Sequence, residues 1–416
     1  MTERKSFKMN KLLKTLIAGV SALTMCSSAM PLSASAATTS YKKGDVNGDG
    51  IVNSSDVLAL NNFLHGSAGA RNYLIAERLD LNRDYIIDNN DLTLLKNISI
   101  GLASSNQVSS VSTSDTVTQV TYHFNELKYS KFNAVNGKEI ENYQISEATN
   151  ITFSNINTTD GILDGDNRKV DYNQSAVVVI TADNKIVGTG FIIDSNKIVT
   201  AAHVLYDTSN NTAKKNIKYI LFNSNGQKID VNGNIISNQN TYYGISANSY
   251  HIPQMYIDAE WYDNNGNGNA LSSGFYQDYA LIKVNEDLSA YKSFDVGVFR
   301  DGIANTSRKI FITGYTTDNK EDSDKNGGND ELRGKIVTGD GDLCKALSRG
   351  NKITDTNLFY NVDVLSGESG GPIYVKNSNG SKTVVGINTG MSPYGFNQGT
   401  RFNTKILTFM FNNPKF

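Results

Sequence analysis

From Val170 to Phe416 the chain is built from short apolar runs, such as "AVVVI", "GFIID", "YILFN", "YALIKV", "KIFITGY", "PIYVK" and "TVVGI". Clusters of Asn, Gly and Asp separate them. Brief apolar runs bounded by turn formers read as β-strands, because they are too short to build a helical face. Only "KILTFMFNN" at the C-terminus has helical spacing. A long series of short strands must close on itself or pack sheet on sheet, so this part reads as a barrel or sandwich. With 416 residues, the chain is too long for one ordinary domain. Its 5 prolines and 35 glycines exclude a collagen-like or proline-rich fibre.

The first residues follow a different logic. Arg4, Lys5, Lys8, Lys11 and Lys14 are followed by an apolar run from Leu16 to Met25 and by the small residues Ala34-Ser35-Ala36. That order is a secretory signal peptide, too short and interrupted for a membrane-spanning helix. Cys26 lies inside it, which leaves Cys344 as the single cysteine of the exported chain. One cysteine makes no internal disulfide, so the core, with or without metal, must hold the exported protein. The net charge of −2 and the lack of a basic patch exclude nucleic acid as a partner.

An internal repeat follows. "DVNGDGIVNSSD" runs from Asp45 to Asp56, and "DLNRDYIIDNND" from Asp80 to Asp91. Oxygen side chains fall at the spacing a hard cation requires: Asp45, Asn47, Asp49, Asn53 and Asp56 in one, Asp80, Asn82, Asp84, Asp88 and Asp91 in the other. Ile51 and Ile86 stand where a backbone carbonyl is the expected ligand. A helical apolar pattern begins after each loop, at Val57, Leu58, Leu60 and Leu64, and at Leu92, Leu94, Leu95 and Ile98. The pair resembles a dockerin, the small module that plugs into cohesin domains of cellulosome-type scaffolds. The resemblance implies two calcium ions and a cohesin partner. Gly50 fills the sharp-turn position in the first loop, but Tyr85 fills it in the second. A left-handed backbone there disfavours a non-glycine residue by roughly 1 kcal/mol. The residues ahead of the last ligand also differ, Ser54-Ser55 against Asn89-Asn90.

Three motifs carry chemistry. His203 lies in "KIVTAAHVLYD", just past an apolar strand. Asp278 lies in "QDYALIKV", ahead of another. Ser369 lies in "SGESGGPIY", where Gly367, Gly370 and Gly371 let the chain fold tightly around a nucleophile. Such a turn aims successive amides into one space, and those of Gly367 and Ser369 would hold an oxyanion. A buried carboxylate bonded to imidazole fixes its tautomer, and the imidazole then deprotonates the hydroxyl. The order His, Asp, Ser is one of several in which this triad occurs. His251, in "SYHIPQMY", reads as an ordinary loop residue, and His123 as part of a polar stretch.

"GTGFIIDSNKIVTAAHV", "DYALIKV", "GESGGPIYV" and "GTRFNTKI" together resemble the trypsin-like superfamily, most closely the bacterial glutamyl endopeptidases. The resemblance runs from about Asn167 to the C-terminus. It implies two six-stranded β-barrels with the triad between them, and a serine endopeptidase that needs no cofactor for catalysis. The expected fold is therefore an all-β double barrel preceded by a small α-helical paired calcium-loop module. The expected segments are a signal peptide at 1–36, the calcium module at 43–102, a Ser/Thr-rich linker at 103–120, a connecting or propeptide-like segment at 121–166 and the peptidase domain at 167–416. The reading is of a secreted enzyme acting on protein or peptide, anchored through cohesin, with no membrane insertion. The alternative is a catalytically silent binding protein that uses the same fold as a platform.

Specificity stays open at this point. The resemblance places Asp363, Val364 and Asn388 at the substrate pocket, where glutamyl endopeptidases carry a threonine and a histidine in place of the last two. Both replacements remove partners for a substrate carboxylate. Asp363 stands at the offset where trypsin keeps its base-binding aspartate. Basic, glutamyl and other preferences all remain. "GILDGDNRKV" resembles the mature start of the glutamyl enzymes. Cleavage after Gly161 would free an ammonium at Ile162 for the pocket or for Glu368; an uncleaved linker is the other possibility. The loops 263–269 and 322–331 read as solvated surface.

Overall fold

The computed structural model describes residues 39–67, 76–105, 107–110, 127–145, 167–237, 244–258, 277–291, 294–299, 309–317, 332–343, 357–391, 397–413 and 415–416. The leader at 1–36, His123, the Gly161–Ile162 bond, the loops 263–269 and 322–331, and Cys344 lie outside these residues. Among the described residues no helix is long and apolar enough to cross a membrane.

Among the described residues, two large sheets hold most of the strands. The first has ten strands: Lys228–Ile229, Lys218–Phe222, Val177–Ala182, Lys185–Asp194, Lys197–Thr200, Ala280–Lys283, Ser249–Pro253, Leu127–Asn133 and Glu139–Ile145 in spatial order, with Ile245–Ser246 beside Lys218–Phe222. The second has eight: Asn357–Tyr360, Asn397–Arg401, Lys382–Met391, Pro372–Lys376, Ile310–Tyr315, Ile336–Gly341 and Lys169–Val170 in order, with Asp295–Val296 parallel to Lys382–Met391. Val177–Ala182 is buried along its whole length. Its β-branched residues fit a pleated surface covered on both faces. The C-terminal run forms the helix Thr404–Phe411, capped by Asn403, whose side chain accepts from the Ile406 amide at 3.1 Å.

The segment read as a connection contributes a hairpin to the first sheet. Leu127–Asn133 pairs with Glu139–Ile145 and, on its other edge, with Ser249–Pro253. Aromatic stacking carries it. Tyr129 lies between Tyr143, 5.7 Å away, and Phe409 of the C-terminal helix, 4.3 Å away. His251, expected in a loop, is a fully buried strand residue. Asn413 donates to the Tyr143 hydroxyl at 2.7 Å, and that hydroxyl shares a 2.7 Å hydrogen bond with His251 Nδ1. Burial pushes the His251 pKa down to about 3, with Lys131 and Lys283 adding to the shift.

Residues Ser40–Ser110 and Thr116–Phe416 form one compact unit. Within it the N-terminal module is a pair of helices, Ser54–Leu64 and Asn89–Ser99, packed through Leu60, Phe63, Leu92, Leu95 and Ile98. Each helix is capped by its own loop. Asn53 and Asp88 are the N-caps, and Asp56 and Asp91 complete the capping boxes. Tyr85 does take the left-handed backbone expected of its position, at φ +67°, where Gly50 has +85°. Its ring packs against the core cluster around Phe299 and Ile310, which offsets the strain.

Candidate active site

His203 lies on the short helix Ala202–Leu205, directly after the strand Lys197–Thr200. Asp278 precedes the neighbouring strand Ala280–Lys283, which pairs with Lys197–Thr200. Strand pairing therefore brings two residues distant in sequence to the same end of one sheet. The Asp278 carboxylate accepts twice from His203, from its amide at 3.0 Å and from Nδ1 at 2.7 Å. A carboxylate only accepts, so Nδ1 carries the proton and a neutral ring leaves Nε2 with a free lone pair. Asp278 is 6% exposed, whereas the His203 side chain is 34% exposed. The ring is thus anchored on its buried side and open on the other.

Ser369 sits in the turn before Pro372–Lys376. Gly367 and Gly370 take φ +96° and +88°, a conformation that L side chains rarely adopt. The turn is stitched by its own backbone: the Glu368 amide to Leu365 O at 3.1 Å, and the Gly371 amide to Glu368 O at 3.0 Å. The Gly370 amide donates to Asn388 O at 2.7 Å. Among the described residues, nothing accepts from the amides of Gly367 or Ser369. Unmade backbone bonds are rare where a chain is otherwise so fully paired. Two such donors side by side in a turn form a ready anion site.

The turn lies against the histidine's own segment. A Cβ on Gly370 would strike Thr189 O and Thr200 Oγ1, and would come within 3.1 Å of the Ala201 amide. The Ser369 carbonyl accepts from the Thr189 amide at 2.8 Å. Thr189 Oγ1 donates to Gly367 O at 2.7 Å and accepts from the Tyr315 amide at 2.9 Å. From the other sheet, Thr400 Oγ1 donates to Asp278 O at 3.0 Å. Thr189 and Thr400 thus clip the two sheets together at His203, Asp278 and Ser369. Sequence reading passed over both, since threonine in a strand run is unremarkable. The sole hint was their place inside "GTGF" and "GTRF".

Beneath the turn, Glu368 is buried and meets Arg168, also buried, at 2.6 Å. Burial pushes the Glu368 carboxyl up, and Arg168 pulls it back toward the ionised form. The place that sequence reading offered to a new N-terminal ammonium therefore holds an internal arginine.

The three expected pocket residues have different surroundings. Val364 is 5% exposed and belongs to the core cluster of the second sheet. Asn388 is buried with both ends of its amide engaged: Oδ1 accepts from Tyr360 Oη at 2.6 Å, and Nδ2 donates to Glu368 O at 2.9 Å. That makes it a brace for the serine turn. Asp363 is half-buried, close enough for its charge to raise the Glu368 carboxyl further.

The two loops of the helical module collect oxygens without closing on each other. Among the described residues, no group of three or more His, Cys, Asp or Glu side chains forms a metal cage by itself. The donor set instead mixes carboxylates with Asn47, Asn53, Asn82 and the Ile51 and Ile86 backbone, as calcium accepts. Asp56 ties its loop shut, accepting from the Asn47 amide at 3.0 Å and the Asn53 amide at 2.9 Å. Asp91 does the same for Leu81, Asn82 and Asp88. Asp49 and Asp84 accept from the Ile51 and Ile86 amides. Asp45, Asp56, Asp80, Asp88 and Asp91 are buried, and Asp45 Oδ1 has no hydrogen-bond donor among the described residues. Arg78 Nη1 lies 3.7 Å from Asp45 Oδ2, one cation beside several carboxylates. Gathering buried carboxylates in one loop is costly, so the donor set fits a further cation.

The trypsin family model matches residues 162–412, and the dockerin type I domain model matches residues 43–98. No curated protein matches the chain. Solved structures similar to it include a Glu endopeptidase in complex with MPD, at 18% identity over 58% of this chain and 93% of that one, with a TM-score of 0.37. Neuropsin, a serine protease expressed in the limbic system of mouse brain, is similar at 16% identity over 58% of this chain and 94% of that one, with a TM-score of 0.36. The match over residues 162–412 covers more than half of the sequence, so the chain belongs to the trypsin family, with a dockerin type I domain ahead of the matched region.

Proposed function

We propose that the chain is an exported serine endopeptidase in which Ser369 is the nucleophile, His203 the general base and acid, and Asp278 the group that orients His203. Ser369 Oγ attacks the scissile carbonyl as its proton passes to His203 Nε2. The oxyanion is held by the Gly367 and Ser369 amides. The C–N bond breaks as His203 returns the proton to the leaving amine, and water, deprotonated by the same imidazole, frees the acyl group from Ser369. No cofactor takes part. The observation that carries this reading is the doubly bonded His203–Asp278 pair beside a serine turn whose two amides have no acceptor among the described residues.

The division that goes with this reading is leader to 36, calcium module at 43–102, linker at 103–120, a segment at 121–166 whose hairpin 127–145 joins the first sheet, and peptidase from 167. Each calcium loop would hold one ion through Asp45, Asn47, Asp49, Ile51, Asn53 and Asp56, or through Asp80, Asn82, Asp84, Ile86, Asp88 and Asp91. Bound calcium supplies the counter-charge that keeps the buried carboxylates ionised and the capped helices in place. The module would then dock on a cohesin domain outside the cell.

Hydrolysis of a denatured protein by the purified chain tests the enzymatic reading. Ser369→Ala should lower kcat by on the order of 10⁴–10⁶ without changing the melting temperature much. Full proteolysis by that variant would refute the assignment of Ser369, and a folded, unaltered chain that hydrolyses nothing would favour the silent-platform alternative.

A further inference from the structure

The second calcium loop is not built alone. Its residues Ile86–Ile87 pair antiparallel with Val298–Phe299, Ile86 opposite Phe299 and Ile87 opposite Val298. Ile86 is the residue whose carbonyl faces the ion in the calcium reading, so a strand outside the module fixes that backbone. Asp88 Oδ2 accepts from Thr383 Oγ1 at 2.6 Å and from Asn377 Nδ2 at 3.3 Å, both from the peptidase side. Two further bonds flank it. Asn89 Nδ2 donates to Asp295 Oδ1 at 3.0 Å, and Asn379 Nδ2 donates to Asn90 Oδ1 at 3.0 Å. A Cβ on Gly297 would lie 2.9 Å from Ile87 O and 3.0 Å from Asp88 Cβ, so the approach is close enough to need a glycine.

The first loop has none of this among the described residues. Its equivalent of Asp88 is Asn53, whose side chain accepts from the Ser55 amide at 2.6 Å within the loop itself. Asp88 is fully buried, while Asn53 is half-buried. Two loops of nearly the same sequence pattern therefore differ in their surroundings: among the described residues the first is held by its own module alone, and the second also by the peptidase sheet.

We propose that the second sheet of the peptidase is the outer shell of the second calcium site, with Thr383 as the positioning residue for Asp88. This rests on the reading that the loop Asp80–Asp91 binds calcium. Groups that orient metal ligands from outside typically change metal affinity about 10–100-fold when removed. Linkage makes the effect reciprocal: an ion that binds this loop more tightly when the sheet is folded stabilises the sheet by the same free energy. Calcium at this loop thus reports on, and supports, the fold that carries Ser369.

The test uses the full exported chain with Ser369→Ala to prevent self-digestion, titrated with calcium by calorimetry. Asp45→Ala in that background silences the first loop and leaves one binding event. Thr383→Val keeps the shape of the side chain and removes the hydroxyl, and Thr383→Ser restores it. The expected result is a Kd weakened about 10–100-fold by Thr383→Val and recovered by Thr383→Ser. A Kd left unchanged by Thr383→Val, in a chain that remains folded by circular dichroism, overturns the proposal while leaving the calcium reading intact. Absence of any calcium binding to the chain with both loops unaltered overturns the calcium reading itself, and the proposal with it.

Discussion

Arg168 reaches Glu368 across two hundred positions of sequence to make a 2.6 Å ion pair sealed from solvent on both sides. Glu368 is the residue immediately before Ser369, so this pair fixes the turn that presents the Ser369 hydroxyl. Removing one partner strands a buried charge, which typically destabilises by about 3–5 kcal/mol. Arg168→Met should therefore lower the melting temperature and also cut kcat/KM, with Arg168→Lys intermediate because an ammonium lacks the planar fork. Thermal melts and steady-state kinetics on the same preparations check both effects.

Because Glu368 is already paired, no freed ammonium is needed to hold the turn. A chain carrying substitutions that block cleavage after Gly161 should keep its calcium module and remain active. N-terminal sequencing of the active species, alongside its turnover rate, checks this. An inactive uncleavable chain would show that maturation does more than the ion pair accounts for.

Much of this arrangement was legible in the amino-acid order. The strands announced themselves through Asn, Gly and Asp punctuation, and the loops through their alternating oxygens. His203, Asp278 and Ser369 each stood in a short, distinctive string. What stayed hidden depended on long-range partners. Arg168 has no local signal, because an arginine in "DNRKV" reads as a surface residue until Glu368 is placed against it. Thr189 and Thr400 look like ordinary strand formers. The hairpin at 127–145 lacks a clean alternation, since Lys, Asn and Glu intervene between the aromatic residues that anchor it. Asn388 was read by analogy of position, and only its bonds to Tyr360 and Glu368 reveal a brace.

The clip at Thr189 offers a graded test. Its hydroxyl serves Gly367 O and the Tyr315 amide at once. Thr189→Val removes one hydrogen bond from each partner, the Tyr315 amide in a buried bond, at roughly 1–3 kcal/mol for a buried group. The expectation is a measurable drop in melting temperature and a fall of kcat/KM by roughly tenfold or more, corresponding to about 1.4 kcal/mol in the transition state. Thr189→Ser should recover most of the rate.

His251 sets an acid limit on the fold. Its pKa falls from 6.5 in the unfolded chain to about 3 in the folded one. Between those values the unfolded state binds the extra proton, so stability is fully present above about 6.5 and declines as pH falls toward 3. Melting temperatures of the unaltered chain should drop across that window, and His251→Gln should flatten the slope. A slope unchanged by the substitution would assign the acid sensitivity to other groups.

The account turns on whether the hydroxyl of Ser369 is made reactive by His203. Treating the purified chain with a fluorophosphonate and mapping the adduct by mass spectrometry asks this directly. A single adduct on Ser369 is predicted, lost in Ser369→Ala and nearly abolished in His203→Ala. A folded chain that takes up no label, or one that labels equally after either substitution, contradicts it.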